Sequence, residues 1–313
     1  VRDGWFSGRM TSVLALDLGG TKLEGALIEA DGTVRPGTRV RRPTGRDSTP
    51  ESMHVALTEV IAGVCSAADP SDVVAVGVGS AGPFRDGGDA IAPVNMPGLH
   101  GYRLAADAAG VAAEARGRVV PVRIGHDGSC LALAEAWLGA TAGSRASMSI
   151  VVSTGIGGGI VIDGRLIAGG SGNAGHLGQT HIADYEATLE EVASGPASVA
   201  WARAQGWSGD TGEDLAHDAA AGNEVARAAI VRSAHAVARG LADAATLLDL
   251  EVIAIGGGFS QSAPDYIDLV QAALSEHAVL DYARSTRVVR SALHGEGPLI
   301  GAAAVALRAA SAD

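Results

Sequence analysis

A short glycine turn near the start of the chain carries the residue types of a phosphate-binding site. An apolar run ends in Asp17-Leu-Gly-Gly-Thr-Lys22, and a second apolar run follows at once. The backbone N–H groups of Gly19 and Gly20 can approach a phosphate closely because glycine has no Cβ. Asp17 is suited to hold Mg²⁺ through water, and Thr21 and Lys22 to reach phosphoryl oxygens. The segment therefore predicts strand, phosphate-binding turn, strand, with a spacing unlike that of the P-loop.

The same pattern recurs in the middle of the chain. Residues 149–164 form an apolar run, a turn of small residues, a second apolar run and a closing Asp-Gly pair. Thr154, Gly155 and Gly157 are the candidate phosphate contacts of this copy. The two copies predict two related lobes that face each other across a cleft. The alternative is that both are ordinary hairpins whose glycines serve only tight turns.

A third glycine turn, Gly256-Gly257-Gly258, follows the run Val-Ile-Ala-Ile and precedes a predicted helix. Such a turn would let a flat or phosphorylated ligand lie against backbone at the edge of a sheet. The alternative is an ordinary strand-to-helix turn. Glycine patterns at 77–82 and 170–175 fit the dinucleotide fingerprint but lack its strand-turn-helix context, which argues against a dehydrogenase.

Asp127 is the candidate catalytic base. It follows a predicted strand over Val119–Ile124 and precedes a predicted helix over Ser129–Leu138. The dipole at a helix N-terminus favours an ionised carboxylate, as proton abstraction requires. The alternative role for such an aspartate is a helix N-cap.

Composition narrows the class of protein. The 313 residues are 47% apolar, and the net charge of −12, with no dense run of Lys or Arg, argues against nucleic-acid binding. Two isolated cysteines exclude a disulfide framework and favour a reducing, cytoplasmic compartment. We expect no membrane association, because no apolar run is long enough to span a bilayer.

The elements that must position these residues alternate between strands and helices, so the expected fold class is α/β. The main expected elements are three strands over 13–44, a helix over 50–67 capped by Thr49, a strand over 73–78, helices over 189–204 and 224–248, a strand over 251–255, a helix from 264, a strand over 288–292 and a final helix over 301–310.

The motifs and their order resemble those of the ROK family of sugar kinases and sugar-responsive repressors, from about Val13 to Leu307. Asp17–Lys22 looks like the family's first phosphate motif, Thr154–Gly159 like the second, and Gly256–Gly258 like the nucleotide-side turn. The resemblance implies an actin-like ATPase (ribonuclease H-like) two-lobe fold whose central interlobe cleft closes on ATP, Mg²⁺ and a hexose.

The resemblance also implies how the chain is divided. It gives a small N-terminal lobe over 13–125 with a C-terminal helix over 300–313, and a large C-terminal lobe over 126–299. Residues 1–12 are expected to be a disordered lead-in. A homodimer is the expected assembly. In the implied reaction Asp127 removes the proton from a sugar hydroxyl, most naturally the 6-hydroxyl, which attacks the γ-phosphate of ATP.

The departures from the family lie among the residues expected to bind the sugar. His126 stands where the family usually has Asn, and His176-Leu-Gly-Gln179 stands where it has Glu-x-Gly-His. These changes alter which sugar hydroxyls can be satisfied. Glu190 matches a glutamate on the anomeric side of the sugar, with a solvated helix carboxylate as the alternative. Asn95 matches a sugar-contacting loop, with turn formation as the alternative.

The family's structural zinc site is also altered. The residues at 181–188 contain no cysteine, and Gln179 replaces the histidine ligand, so we expect no structural zinc. A metal held by His176 and His181 is a weaker alternative.

The leading function from sequence is an ATP-dependent hexose kinase similar to glucokinase. A sugar-responsive repressor would need a DNA-binding domain, for which the twelve residues before Val13 are too few. A catalytically weak sugar- or nucleotide-binding protein is the other alternative, motivated by the changes at 126, 176 and 179. The acceptor sugar and the choice between ATP and polyphosphate stay open.

Overall fold

The computed structural model describes residues 12–67 and 73–309. Apart from Ser12, the expected lead-in lies outside these ranges, as do residues 310–313 of the expected C-terminal helix. No helix within the two ranges is both long and apolar enough to cross a bilayer. The described chain divides into two compact units, each with its own sheet and hydrophobic core.

The first unit holds the described residues up to Leu138, Arg165–Ala174 and the residues from Gly295 onward. With numbering that follows the whole chain, its elements are β1 (Ser12–Leu18), β2 (Lys22–Ile28), β3 (Val40–Pro43), α1 (Pro50–Ser66), β4 (Val73–Ser80), β5 (Phe84–Arg85), β6 (Ala90–Ile91), α2 (Leu104–Arg116), β7 (Val122–His126), α3 (Asp127–Leu138), β10 (Arg165–Leu166) and α10 (Gly297–Ala309). The main sheet has the order β3-β2-β1-β4-β7. The β1–β2 hairpin is antiparallel, whereas β4 and β7 extend the sheet in parallel.

Helix α1 begins where the sequence predicts. Thr49 and Ser52 form a capping box, in which each side chain accepts a hydrogen bond from the other residue's backbone N–H. Pro50 occupies the first helical position, where its missing N–H costs nothing. The buried side of α1, including Leu57 and Ile61, packs into the core beneath the sheet.

Helix α10 brings the C-terminal part of the chain back to the first unit. Its small residues allow contact at backbone distance: a Cβ on Gly77 of β4 would collide with the carbonyl of Ala302. A Cβ on Gly301 would likewise collide with the carbonyl of Cys130 in α3. Alanines of α10 and β1 therefore complete a second core cluster of this unit.

The second unit comprises Gly139–Gly164 and Gly175–His294. Its elements are β8 (Ala146–Val152), β9 (Ile156–Ile162), β11 (His181–Ile182), β12 (Ala187–Thr188), α4 (Leu189–Ala193), α5 (Gly195–Ala204), α6 (Gly212–Ala220), α7 (Glu224–Leu248), β13 (Val252–Gly256), α8 (Tyr266–His277), α9 (Asp281–Arg284) and β14 (Arg287–Arg290). Four neighbouring strands of its main sheet, in the order β9-β8-β13-β14, repeat β2-β1-β4-β7: an antiparallel hairpin followed by two parallel strands. The α/β class is confirmed.

Some expected elements differ in detail. The helix expected over 189–204 is two helices, because Ser194 is extended (φ −64°, ψ 160°) and its hydroxyl caps α5 at Ala197 N–H. The strand expected over Val119–Ile124 begins only at Val122, after Pro121. Helices α2 and α6 were not predicted. The sequence of α2 is alanine-rich with weak apolar periodicity, and α6 is a short, polar helix in which only Leu215 is buried.

The expected lobe boundaries, 13–125 with 300–313 and 126–299, stay predictions. They differ from the observed units at α3, which belongs to the first unit because it packs on α10. Arg165–Ala174 also belongs to the first unit. Asn173 explains this placement, since its side-chain amide bonds to both backbone groups of Phe84, at 2.7 and 2.9 Å.

Candidate active site

The first glycine turn connects β1 to β2 and is closed by its own backbone. The N–H of Gly19 donates to the carbonyl of Lys22 at 2.9 Å. Thr44 Oγ1 donates to the carbonyl of Gly19, also at 2.9 Å. Thr21 at the tip is exposed. The turn is therefore a preformed loop with an accessible tip.

Asn95 lies against this turn. A Cβ on Gly20 would collide with the Asn95 side-chain amide, so glycine is required at position 20 for this approach. The amide is thus brought beside the first candidate phosphate turn, as a sugar-contacting residue would need to be.

Lys22 is held by a buried partner that the sequence analysis did not identify. Its ammonium forms an ion pair with Glu24, which also lies 2.9 Å from Arg41 and 3.2 Å from Arg39. Burial raises the pKa of Glu24, but hydrogen bonds from Lys22 and Arg41 outweigh it, and the pKa is lowered overall. Glu24 pairs with Asp17 across the hairpin, so strand alternation was the signal that could have placed it beside the turn.

Asp17 is buried near the end of β1, and its pKa is raised to about 7. Burial is the main cause, and the negative charges of Asp127 and Glu24 add to it, while Lys22 opposes it. Two carboxylates near each other stabilise a proton or a cation between them. Because the charge of Asp127 contributes to the raised pKa of Asp17, the fold brings these two residues near each other, although they are 110 positions apart in sequence.

Asp127 is the first residue of α3, and its carboxylate is 63% exposed. Its Oδ1 accepts a hydrogen bond from the N–H of Gly128 at 2.7 Å. Its position after β7 and at the start of a helix is the one expected from the sequence, with β7 shifted to Val122–His126.

His126 is almost fully buried, and both ring nitrogens have partners. Nδ1 accepts a hydrogen bond from the N–H of Ser129 at 3.3 Å, so Nε2 donates to the carbonyl of Ala174 at 2.9 Å. These bonds require the neutral Nε2–H tautomer. The ring holds Ala174 beside the start of α3, and a contact between His126 and substrate stays a prediction.

In the second unit, Glu190 holds the second glycine turn. Its Oε2 accepts a hydrogen bond from the N–H of Ile156 at 2.7 Å, and a Cβ on Gly155 would lie 2.6 Å from this oxygen. Its Oε1 accepts from Gln179 Nε2 at 3.2 Å. Three predicted site residues, Gly155, Gln179 and Glu190, therefore lie together, with exposed Thr154 at the same turn.

The third glycine turn lies beside the second. Gly257 has φ of +97°, and a Cβ there would collide with the carbonyl of Val152 at the end of β8. Because β8 and β13 are parallel neighbours, the turn that begins at Gly256, the last residue of β13, lies at the edge of the sheet where the second turn follows β8. Together the turns form one glycine-rich backbone surface.

His176 is half-buried in a segment that lies directly on β9. Gly175 (φ +104°) and Gly178 pack so closely that a Cβ on either would collide with backbone of this strand. His181 is exposed at the start of β11. Within residues 12–67 and 73–309, no three His, Cys, Asp or Glu side chains form a group that could hold a metal. The absence of structural zinc stays a prediction.

Comparisons with known proteins agree with this architecture. The model of the ROK family matches residues 13–309. N-acetylmannosamine kinase from Citrobacter koseri is 35% identical over 308 residues, which cover 94% of this chain and 98% of that protein.

Two solved structures are similar over nearly the whole chain. The ROK hexokinase from Thermus thermophilus has a TM-score of 0.81 and 28% identity, with 97% of this chain and 100% of that chain covered. The ROK family glucokinase from Streptomyces griseus, in complex with glucose and AMPPNP, has a TM-score of 0.77 and 25% identity, with 96% and 100% covered. The expected actin-like ATPase fold class is confirmed.

Proposed function

Because the chain belongs to the ROK family, we propose that it is an ATP-dependent sugar kinase acting on the 6-hydroxyl of a hexose. The observation that carries the proposal is the pair of aspartates in the first unit, with Asp17 buried at the phosphate turn and Asp127 exposed at a helix N-terminus. N-acetylmannosamine is the first acceptor to test, because the relative from Citrobacter koseri is an N-acetylmannosamine kinase. Glucose is the second.

Asp127 is the proposed general base. One carboxylate oxygen is oriented by Gly128 N–H, which leaves the other to accept the proton of the sugar hydroxyl. The hydroxyl oxygen then forms a bond to the γ-phosphorus of ATP while the bond from that phosphorus to the β-phosphate oxygen breaks. The products are a sugar phosphate, ADP and protonated Asp127, which returns its proton to solvent.

The glycine turns are proposed to bind the phosphates through backbone N–H groups. Gly19, Gly20, Thr21 and Lys22 would contribute from the first unit, and Thr154, Gly155 and Gly157 from the second. A Cβ on Gly157 would meet nothing within 4 Å, which leaves room for a ligand at this position. Gly256–Gly258 would lie against the nucleotide.

Asp17 is the proposed magnesium residue. Its raised pKa reflects a buried negative charge near Asp127, an environment in which a cation is stabilising. Bound Mg²⁺ would supply positive charge that offsets the phosphates and both carboxylates.

The sugar is proposed to contact Asn95 beside the first turn, and His176, Gln179 and Glu190 near the second. Gln179 already donates a hydrogen bond to Glu190. Sugar hydroxyls must therefore pair with the donors and acceptors that remain on these two side chains. A site of this kind discriminates strongly between hydroxyl arrangements, because unmatched polar groups are costly.

The proposal is tested by measuring turnover of N-acetylmannosamine, glucose, mannose and N-acetylglucosamine, with ATP or polyphosphate as donor. Sugar phosphate is detected by mass spectrometry and ADP by a coupled assay. Asp127→Asn should lower kcat by about 10²–10⁴-fold and leave the melting temperature and sugar affinity nearly unchanged. Asp281→Asn, at the exposed first position of α9, is the matched control and should keep full turnover.

Two outcomes would count against a kinase. If folded protein phosphorylates none of the sugars with either donor, the activity is not the proposed one. If calorimetry then shows sugar binding without turnover, the chain is a sugar-binding member of the family instead.

A further inference from the structure

A cavity of about 340 Å³ lies in the first unit, on the outer side of β7. Its wall is formed by the start of α2, the β5–β6 hairpin, β7 and residues 166–172. We call it the β7-edge cavity. None of the residues assigned above to ATP, Mg²⁺ or sugar lines it.

The N-terminus of α2 faces this cavity. Ala105 and Ala106, the second and third residues of this 13-residue helix, line the cavity. Their N–H groups have no acceptor within the helix. The N-cap residue is Arg103, and its side chain does not cap the helix. The first turn therefore presents donors and a positive dipole end.

Two arginines add positive charge at the same place. Arg103 and Arg123 both line the cavity. Arg123 makes one long hydrogen bond, 3.4 Å to the carbonyl of Val122, among the described residues. Arg103 forms an exposed ion pair with Asp89 at 3.1 Å, and Asp89 also lines the cavity. An exposed pair of this kind contributes little stability and can be exchanged for a stronger acceptor.

An independent observation comes from the buried wall. Ser129 lines the cavity and is only 1% exposed, and its Oγ has no hydrogen-bond partner among the described residues. A buried hydroxyl without a hydrogen-bond partner destabilises the fold. A ligand oxygen in the cavity would supply that partner. The nearby carboxylate of Asp107 does not line the wall, and its two oxygens are already engaged by His54 and Tyr102.

We propose that the β7-edge cavity binds the phosphate group of a small phosphorylated compound or free phosphate. Helix N–H groups, two guanidinium groups and one hydroxyl form the donor set that a phosphate dianion uses. The volume exceeds what one phosphate fills and leaves room for a sugar-sized substituent. The site adjoins the proposed kinase site, since Gly125 and Ser129 flank His126 and Asp127 in the chain, but none of its lining residues is one assigned to ATP, Mg²⁺ or sugar, and its existence does not depend on that activity.

The test is calorimetric titration of the full chain with inorganic phosphate and, separately, with glucose 6-phosphate. Saturating Mg–ADP, glucose and N-acetylmannosamine are present throughout, so that the nucleotide and sugar sites of the proposed kinase are filled and neither probe binds there. Arg123→Ala and Arg103→Ala should each weaken binding about tenfold, which is the loss of one charge-assisted interaction. Asp89→Asn should tighten it about threefold, because it removes the competing carboxylate.

Matched controls separate this site from general charge effects. Arg145→Ala removes an equally exposed arginine–aspartate pair in the second unit and should leave phosphate affinity unchanged. Ser129→Ala should weaken binding, whereas Ser198→Ala, at an equally buried and unpartnered hydroxyl in α5, should not. Circular dichroism of each variant verifies that it is folded, and Arg123→Gln replaces Arg123→Ala if the latter unfolds.

The outcomes divide clearly. Tighter binding of glucose 6-phosphate than of phosphate, weakened in the same arginine variants, identifies a sugar phosphate as the ligand. Equal affinities that the same variants weaken identify free phosphate. The proposal is wrong if wild-type protein binds neither probe saturably, or if binding is insensitive to Arg103, Arg123 and Asp89.

Discussion

At the scale of single residues, Asp17 makes the stability of the metal-free protein depend on pH. Its pKa is raised from 3.8 to about 7 in the fold. Below pH 4 the Asp17 carboxyl is protonated in both the folded and the unfolded state, so burying it costs the protein no stability through deprotonation. Stability is lost as pH rises from about 4 to about 7.

We therefore compare the free energy of unfolding of Asp17→Asn with that of wild type. The variant's value minus the wild-type value should be about 2–4 kcal/mol larger above pH 7 than at pH 4. The measurement is urea unfolding in chelator across this pH range. Glu24→Gln is the opposite-sign control: the pKa of Glu24 is lowered, so this variant should lose stability at neutral pH and recover relative to wild type as pH falls. If the difference in free energy of unfolding between wild type and Asp17→Asn is the same at every pH, the pKa of Asp17 is not raised in the fold.

At the scale of elements, an arginine holds the short β11–β12 hairpin. The guanidinium of Arg232 in α7 lies 4.8 Å from the ring centre of Tyr185 and 5.6 Å from that of Trp201. It also donates to the carbonyl of Val192 at 2.7 Å. Burial lowers the pKa of Arg232. These contacts hold the segment where the sequence comparison predicts that the family's zinc loop is lost.

Arg232→Ala should destabilise the protein by about 1–2 kcal/mol and raise hydrogen exchange locally over residues 181–191, because the cation–π contacts and one charged hydrogen bond are lost. Arg203→Ala, which removes only an exposed ion pair with Asp210, is the control. It should change the free energy of unfolding by no more than a few tenths of a kcal/mol and leave hydrogen exchange over residues 181–191 unchanged. Uniform destabilisation without a local rise in exchange would show that Arg232 does not hold this hairpin.

The elements also show how far sequence reasoning reached. Both glycine hairpins, the capped helix α1 and helix α7 were predicted, because local periodicity, capping and turn residues determine them. The break at Ser194 was missed, since it depends on a cap and a hydrogen bond from Gly195 N–H to the distant carbonyl of Ser153. The roles of Glu24 and Arg232 were missed because their partners are set by packing across strands and helices.

At the scale of the whole molecule, the chain returns twice to its first unit, with Arg165–Ala174 and with α10. The return of α10 depends on glycine at the contact with α3, where a Cβ on Gly301 would meet the backbone of Cys130. Sequence alone identified a small-residue helix here but could not show which strand and helix it packs against.

This contact gives a prediction in which one substitution has opposite effects in two helices. Gly110→Ala in α2 adds a Cβ into open space and should stabilise the protein by about 0.5–1 kcal/mol, through the higher helix propensity of alanine. Gly301→Ala gains the same propensity but must push α10 away from α3, and should destabilise by about 2–3 kcal/mol. Urea unfolding of both variants measures the difference. If Gly301→Ala is as stable as Gly110→Ala, α10 does not close the first unit in solution as it does here, and the second core cluster built on α10 and β1 is not a source of its stability.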